Sequence, residues 1–407
     1  MASPYRELLR IPGGWKFSLA GFFGRLPLSM GGVALLLLIV DNTDSYFTGG
    51  AVEATWITVE AAAAPAIARL VDRFGQARIV GPQITLHLAS VVVLVVLVSN
   101  SAPLWTFFVA AAACGATLPV IGSFVRARWT ALLGESPLLR SAFSWESVVD
   151  EFVFIIGPPL ATFVSATVGP SEAVLITACL GASGTYALIM QRSSEPVAQG
   201  RTAARGPLAP SYPGMKAVLV VMAALGLLFA GVEVTVIATA RESGDVFAAG
   251  IVLAIWSVSS MLVGLVLGGL RTPPPLYRQL LIGSIGLAVT LVPLLASQGL
   301  ITTAIILFFA GAAVSPTLIA GFTLVERLVP THRLTEALTW ASTSLAVGFA
   351  LGSAASGWLV DNVSLGAGYW VGVVSAALAV IAAVASRGVL TADADSFGRK
   401  APPSSRM

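Results

Sequence analysis

Charged side chains are scarce in this sequence. Aspartate, glutamate, lysine and arginine make up 11% of its 407 residues, against roughly 25% in a soluble domain, while hydrophobic residues make up 56%. So few charges cannot cover the surface of a water-soluble protein, and the composition excludes an ordinary soluble domain. The formal net charge of +3 is spread over several loops, so no surface is basic enough to bind nucleic acid.

Cysteine and histidine are also sparse, with two of each. Cys114 and Cys179 both fall within apolar runs, which provides neither a disulfide framework nor the spacing of a metal site. The sequence contains no HExxH, no recognisable nucleophile–base pair and no phosphate-binding loop. We therefore expect neither an enzyme nor a bound cofactor or metal.

Long apolar runs are abundant, and twelve of them have about 20 residues, enough to cross ~30 Å of hydrocarbon. Their residues do not alternate between polar and apolar, which favours helices over barrel strands. The predicted spans, numbered 1 to 12 in chain order, are 17–40, 46–68, 79–98, 103–125, 141–164, 171–190, 216–238, 247–270, 279–297, 300–325, 336–359 and 369–387. The sequence thus predicts an all-α integral membrane protein.

Basic residues set the predicted orientation. With these boundaries, 21 of the 23 lysines and arginines lie in loops and ends on one side of the membrane, the exceptions being Arg25 and Arg241. Because loops rich in Lys and Arg stay in the cytoplasm, we expect a multi-pass protein of the cell (plasma or inner) membrane. Both termini are expected to be cytoplasmic.

Residues 191–215 interrupt the apolar pattern with proline, glycine, serine and arginine, which is typical of a mobile linker. They separate an N-terminal bundle of six spans (1–190) from a C-terminal bundle (216–390), which is followed by a tail of disordered composition (391–407). Segment 142–157 aligns without gaps on 337–352, and Trp56 and Trp256 occupy corresponding places. We predict two bundles related by a pseudo-two-fold axis, with a substrate site between them.

The loop after span 2 reads AIARLVDRFGQARIV, from Ala66 to Val80. It resembles the signature of the major facilitator superfamily, roughly G-x-L-a-D-R-x-G-R-R between spans 2 and 3, and the matching positions are Asp72, Arg73, Gly75 and Arg78. The twelve spans, the linker and the internal termini extend the resemblance to the whole chain. It implies the fold of that superfamily, transport by alternating access, and a loop that clasps the halves on the cytoplasmic side and gates the alternation. We expect the protein to act as a monomer.

Gly157 and Pro158 in span 5 resemble the helix-bending pair of drug/proton antiporters, although Val153, Ala161 and Thr162 replace the other glycines of that signature. Our first expectation is therefore proton-coupled efflux of organic or amphipathic compounds. The alternative is uptake of a small metabolite by proton symport, in which a deep arginine would suit an anionic group.

Charged residues inside the predicted spans are the candidate functional residues. One charge near the membrane centre costs about 2.5–3.5 kcal/mol, so these side chains must face helices or water. Arg25 is the only basic residue deep within a predicted span, and Glu60, Asp150 and Glu151 lie at a matching depth. Glu146 and Asp150 are four residues apart and share a helix face, whereas Glu151 is turned by about 100°.

Two interpretations of this charge network stay open. It is either a static ion pair that holds the N-terminal bundle together, or a titrating network in which proton binding releases Arg25 or changes the charge of the cavity. A buried carboxyl beside a second acid binds a proton more readily, so we expect Asp150 or Glu151 to exchange protons. Trp56 and Trp256 either line the cavity or fill space between helices. The expected partners are a small-molecule substrate, protons and the lipid bilayer.

Glu53 and Glu233 lie further across the membrane, roughly 25 Å from the basic side by helix rise. We expect an outer vestibule to hydrate them and do not count them among the candidate residues.

Overall fold

A computed structural model of the chain describes residues 7–8, 10–134, 136, 138–197, 209–269, 274–329 and 334–390. Every regular element in these residues is helical, and twelve helical stretches are long and apolar enough to cross a membrane. The prediction of an all-α protein with twelve spans is confirmed. The predicted tail, and residues 198–208 of the predicted linker, lie outside the described residues.

Most helices extend several residues beyond the predicted limits. Spans 1 to 12 are formed by Gly14–Thr43, Tyr46–Phe74, Gln76–Ser99, the pair Leu104–Thr117 and Ile121–Leu133, Leu138–Thr167, Pro170–Met190, Met215–Glu242, Val246–Gly269, Leu276–Leu291 with the 3-10 turn Val292–Ala296, Leu300–Leu328, Leu334–Asn362 and Tyr369–Ala385. We call the side of the molecule where span 1 begins and spans 6 and 7 are connected the linker side, and the opposite side the far side.

Span 4 is broken in the middle. Leu118 adopts an extended conformation, with φ −70° and ψ 123°, because the residue before a proline avoids the helical region. After Pro119 the helix resumes at Ile121 and continues to Leu133. The prediction that span 4 ends at residue 125, with Arg126 and Arg128 in a loop, is therefore wrong, since both arginines lie on the second helix of this span.

The helices pack in the same way in the two halves. Span 1 packs against spans 5 and 6, span 2 against span 4, and span 3 against spans 4 and 6; spans 7, 8 and 9 repeat this pattern with spans 10, 11 and 12. Spans 1 and 7 are the most buried of the twelve, so each lies centrally in its bundle. The halves meet chiefly through spans 2 and 11 and through spans 5 and 8.

Equivalent close contacts support the internal duplication. Gly115 of span 4 packs against the backbone carbonyl of Trp56 on span 2, and Gly311 of span 10 packs against that of Trp256 on span 8. A side chain at either glycine would overlap this backbone, so glycine is needed for the approach of the helices. The correspondence of Trp56 and Trp256 in sequence is thus a correspondence in packing.

Candidate functional site

Arg25 lies inside the N-terminal bundle with only 3% of its surface exposed. Its Nη2 donates to Glu146 Oε2 of span 5 at 2.6 Å, and its Nη1 lies 3.2 Å from Asp150 Oδ1. A guanidinium stays charged, so burial requires such partners. Glu146 and Asp150, rather than Glu60 or Glu151, are the carboxylates paired with Arg25 among the described residues.

The carboxylate of Glu146 is fully buried, at 0% exposure, and accepts hydrogen bonds from three side chains on two helices. Besides Arg25, the Ser18 hydroxyl of span 1 donates to Glu146 Oε1 at 2.7 Å, and Trp129 Nε1 of span 4 donates to the same oxygen at 2.8 Å. Trp145 Nε1 in turn donates to the Ser18 hydroxyl at 2.9 Å. Charge-assisted bonds from two other helices, spans 1 and 4, fix this group in place, which favours the static interpretation at Glu146.

Asp150 has a second arginine partner that its sequence neighbourhood does not indicate. Arg126 Nη2 of span 4 lies 2.6 Å from Asp150 Oδ2, and the two side chains are 34% and 30% exposed. The expectation that Arg25 is the only basic residue deep within a span was wrong because span 4 continues past Arg126. Two arginines therefore face Glu146 and Asp150, and the cluster has no excess charge of either sign when all four groups are ionised.

Glu60 and Glu151 lie on helix faces that are turned toward the other half. On span 5, Glu151 precedes Pro158 by seven residues and Thr162 by eleven, so it shares the face that contacts span 8. On span 2, Glu60 lies seven residues after Glu53 and therefore on the same helix face. Glu53 contacts span 11 of the other half. Glu60 and Glu151 are half-buried, and their carboxylates form no ion pair or hydrogen bond within the part of the chain that the structure describes.

The two halves are in tight contact on the far side. A methyl group on Gly50 of span 2 would overlap the backbone of Ser353 on span 11, and one on Gly250 of span 8 would lie 2.7 Å from the carbonyl oxygen of Pro158 on span 5. Only glycine permits backbones to approach so closely. We call these contacts between spans 2 and 11 and between spans 5 and 8 the far-side seal. Gly50 lies six residues before Trp56, and Gly250 lies six residues before Trp256, so the seal is repeated by the pseudo-symmetry.

Asp361, at the far-side end of span 11, caps span 2 of the other half. Its carboxylate accepts the backbone N–H groups of Tyr46 at 3.0 Å and Phe47 at 2.8 Å, and the Ser45 hydroxyl at 2.8 Å. An acid at a helix N-terminus satisfies free N–H groups and interacts favourably with the helix dipole. This cap therefore joins the two halves.

Arg241 of span 7 adds a weaker link across the same seal. Its Nη2 lies 3.6 Å from Asp41 Oδ1 and 3.7 Å from Asp44 Oδ1, both on the N-terminal half. Both aspartates are exposed, so these pairs contribute little to stability.

On the linker side the halves are apart. No residue of span 2 from Ile57 to Leu70 is buried, and none of span 8 from Met261 to Leu267. The hydrogen bonds and ion pairs that join Ser45 to Asp361, Glu53 to Ser353, Thr162 to Phe247 and Arg241 to Asp41, and the ring contact of Phe163 with Phe247, lie on the far side. The structure is therefore closed on the far side and has a cleft that opens toward the linker side.

The loop between spans 2 and 3 packs against the beginning of the linker. Gly75 has φ 90° and separates the two helices, as expected for a tight turn. The backbone N–H of Ala77 donates to Glu195 Oε1 at 2.9 Å, which places an acid at the start of span 3. Arg73 and Arg78 stack on Phe74, at 4.9 Å and 6.0 Å from its ring centre. The side chain of Asp72 lies outside the described residues.

Gly157 and Pro158 lie at packing contacts of span 5. A methyl group on Gly157 would overlap Ser29 of span 1, whose hydroxyl donates to the Val153 carbonyl at 2.8 Å. Pro158 faces Gly250 of span 8. The helix Leu138–Thr167 runs through this pair without a break, so its proposed role as a helix bend stays a prediction.

Trp56 and Trp256 are largely buried beside a second ring. The Trp56 ring meets His87 of span 3 edge-on at 5.5 Å, and the Trp256 ring meets Phe229 of span 7 in the same way at 5.5 Å. These contacts favour the space-filling interpretation of both tryptophans. Trp256 Nε1 is buried and has no acceptor among the described residues.

The expected hydration of Glu53 was wrong. Glu53 is only 2% exposed and lies in the far-side seal, where its Oε2 accepts a hydrogen bond from the Ser353 hydroxyl. Glu233 of span 7 is half-buried close to it. The signal available in the sequence was the seven-residue spacing between Glu53 and Glu60, which places both acids on one face of span 2.

No sequence family profile matches the chain, and no curated protein is significantly similar to it. Solved structures are similar in fold. The nucleoside transporter NupG superposes with a TM-score of 0.71 at 14% identity, covering 92% of this chain and 98% of that one. An auto-inhibited peptide transporter of the POT family superposes with a TM-score of 0.64 at 15% identity, covering 95% and 97%. The chain thus has the fold of major facilitator superfamily transporters.

Proposed function

We propose that this chain, with the fold just described, is a secondary transporter of small molecules that works by alternating access. The observation that carries this proposal is that span 2 and span 8 pack closely against the other half on the far side, whereas their linker-side parts, Ile57–Leu70 and Met261–Leu267, contain no buried residue. Rocking of the bundles would then exchange the far-side seal for one on the linker side without disrupting either core.

We assign the linker side to the cytoplasm, because the basic loops lie there. The cleft would then face inward, in a monomer of the cell membrane. When it closes, we expect the loop with Asp72, Arg73, Gly75 and Arg78 to approach the C-terminal half and act as the gate. In the inward-open arrangement this loop instead contacts Glu195 at the beginning of the linker.

The charges near the cleft suggest the kind of substrate. Arg25 is already neutralised by Glu146 and Asp150, which leaves it unsuited to bind an anionic group. Glu60 and Glu151 have no cationic partner among the described residues. A neutral or cationic organic compound therefore fits best, and our first choice is efflux of such compounds against inward proton flow.

Uptake by proton symport is the second candidate. The solved structures of similar fold include a nucleoside transporter and a peptide transporter, which suggests small polar metabolites rather than amphipathic compounds. The direction in which an imposed pH gradient moves substrate separates the two candidates.

The test uses purified protein in proteoliposomes with an imposed pH gradient. The panel contains amphipathic cations, nucleosides and short peptides. We expect at least one class to be transported, and Glu60→Gln or Glu151→Gln to reduce the flux at least several-fold. Glu242→Gln, at an exposed far-side position, is the matched control. If no class moves and folded protein binds none of them, the transport proposal is wrong.

A further inference from the structure

A pair of acids lies in the far-side seal, apart from the Arg25 network. Glu53 of span 2 is almost completely buried, and its Oε2 accepts a hydrogen bond from Ser353 of span 11. Its other oxygen, Oε1, is buried and has no hydrogen-bond partner among the described residues. A buried carboxylate oxygen without a donor is costly, so this atom requires a ligand.

The unpartnered oxygen lies beside a second carboxyl. A methyl group built on Gly32 of span 1 would overlap Glu53 Oε1 and would lie 3.4 Å from Glu233 Oε1 of span 7. The two carboxyls therefore converge on one small space, which exists because residue 32 has no side chain. Glu53 belongs to the N-terminal half and Glu233 to the C-terminal half, so the pair spans the interface.

Neither acid of this pair has an ion-pair partner within the described ranges. Other charged groups on the surrounding spans lie at least seven residues away along the helices, about 10 Å or more. The nearest of them along the chain are Arg25, Asp41, Glu60, Arg241, Glu242 and Asp361, and the titratable rings on the neighbouring spans include Tyr46, His87 and Tyr369. Arg25 is held by Glu146 and Asp150, and Arg241 by the aspartates at the far-side surface.

Two ionised carboxylates enclosed together without a cation would repel each other strongly, because the surrounding dielectric constant is low. A metal ion is a poor solution, since the described residues contain no group of three or more His, Cys, Asp or Glu side chains suited to hold one. A single proton needs only two oxygens. It removes one charge and supplies the hydrogen bond that Glu53 Oε1 lacks.

We propose that Glu53 and Glu233 form a proton-binding pair that holds one proton between the halves while the far side is closed. The proton comes from water, and it returns to water when the far side opens, because spans 2 and 11 then separate. Opening removes the Ser353 donor and hydrates both carboxyls. Protonation and closure of the far side therefore favour each other. This inference deepens the proposed transport function, for which it supplies a coupling site.

The test is infrared difference spectroscopy of the purified full chain in Na⁺-free choline buffer, titrated between acidic and alkaline pH. We expect a protonated-carboxyl carbonyl band at neutral pH that is lost in both Glu53→Gln and Glu233→Gln. The control Glu242→Gln keeps the band. Glu233 is half-buried and in the other half, so its variant keeps the test valid if Glu53→Gln does not fold.

Two results would overturn the proposal. One is a neutral-pH spectrum in which neither glutamine variant removes a carboxyl band. The other is a band that appears in choline but disappears when NaCl is added, because the pair would then hold Na⁺. The spectra do not require transport, so a titrating pair in a protein without flux supports this inference while contradicting the proposed function.

Discussion

Replacing Glu146 with alanine is the sharpest perturbation of the Arg25 network. Glu146 is fully buried and accepts from Arg25, Ser18 and Trp129. Its loss leaves a buried guanidinium with only Asp150, at 3.2 Å, and leaves the indole and hydroxyl without an acceptor. Removing one partner of a buried pair typically costs about 3–5 kcal/mol, and we expect the free energy of unfolding to fall by this amount.

Asp150→Ala provides the comparison. Asp150 and Arg126 are about one-third exposed, and Arg25 keeps its 2.6 Å contact with Glu146 in this variant. Partly exposed pairs contribute about 1 kcal/mol or less, so the Glu146 variant should be the less stable of the two by about 2–4 kcal/mol.

A double replacement separates the charge from the packing. In Arg25→Met with Glu146→Leu, both buried charges are gone and apolar side chains of similar size remain. Such replacements are often neutral or stabilising, and Asp150 still has Arg126 as its partner. We therefore expect the double variant to regain the part of the stability that the unpaired guanidinium costs in Glu146→Ala, while Trp129 and Ser18 still lack their acceptor.

The assay is SDS-induced unfolding of the detergent-purified protein, followed by tryptophan fluorescence. Equal losses of unfolding free energy in Glu146→Ala and Asp150→Ala would refute the reasoning, because the complete burial of Glu146 would then add nothing to the cost of removing it. A double variant less stable than Glu146→Ala would refute it as well.

Three further predictions concern the far-side seal and the linker. The first uses a background in which Cys114 and Cys179 are replaced by alanine and a cysteine is introduced at the buried Ser356. Asp361→Ala should make this cysteine react about tenfold faster with a maleimide, which corresponds to a change of ~1.4 kcal/mol in the free energy of opening the seal. Arg241→Ala should change the rate less than twofold, and equal effects of the two variants would contradict the assigned cap. Gly50→Val should also speed this reaction, because the added side chain overlaps span 11. Gly81→Ala should not, because its Cβ would lie 3.4 Å from an Ile189 side-chain atom. Equal reaction rates in these two variants would argue against the seal. Glu195→Gln should weaken the start of span 3 by about 0.3–1 kcal/mol, seen as faster hydrogen exchange at the Ala77 amide, and unchanged exchange would contradict its role at this helix terminus.

Much of the fold could be predicted from the sequence, because membrane spans are constrained by length and hydropathy alone. The duplication was also accessible, since Trp56 and Trp256 lie at equivalent contacts with Gly115 and Gly311. The end of span 4 was not. Arg126 and Arg128 look like loop residues by composition, but they remain helical because Asp150 and Gln76 accept their hydrogen bonds.

The candidate site was harder to predict because side-chain partners depend on how the helices are rotated. Helical spacing placed Glu146 and Asp150 on one face, and both contact Arg25 in the structure. Depth alone, however, placed Glu53 in an outer vestibule. Its burial depends on the closure of span 2 against span 11, which is a property of the conformation and not of the sequence pattern.

The central claim, that the halves rock about the cleft, is tested most directly by two spin-label distances in one protein. One pair, at the exposed Asn100 and Gln298, spans the far side, and the other, at the exposed Ala131 and Glu326, spans the linker side. We predict a short, narrow far-side distance and a long linker-side distance in the unmodified protein, with opposite changes when Gly50→Val is introduced. If both distances lengthen together, or if neither changes, the account of alternating access is contradicted.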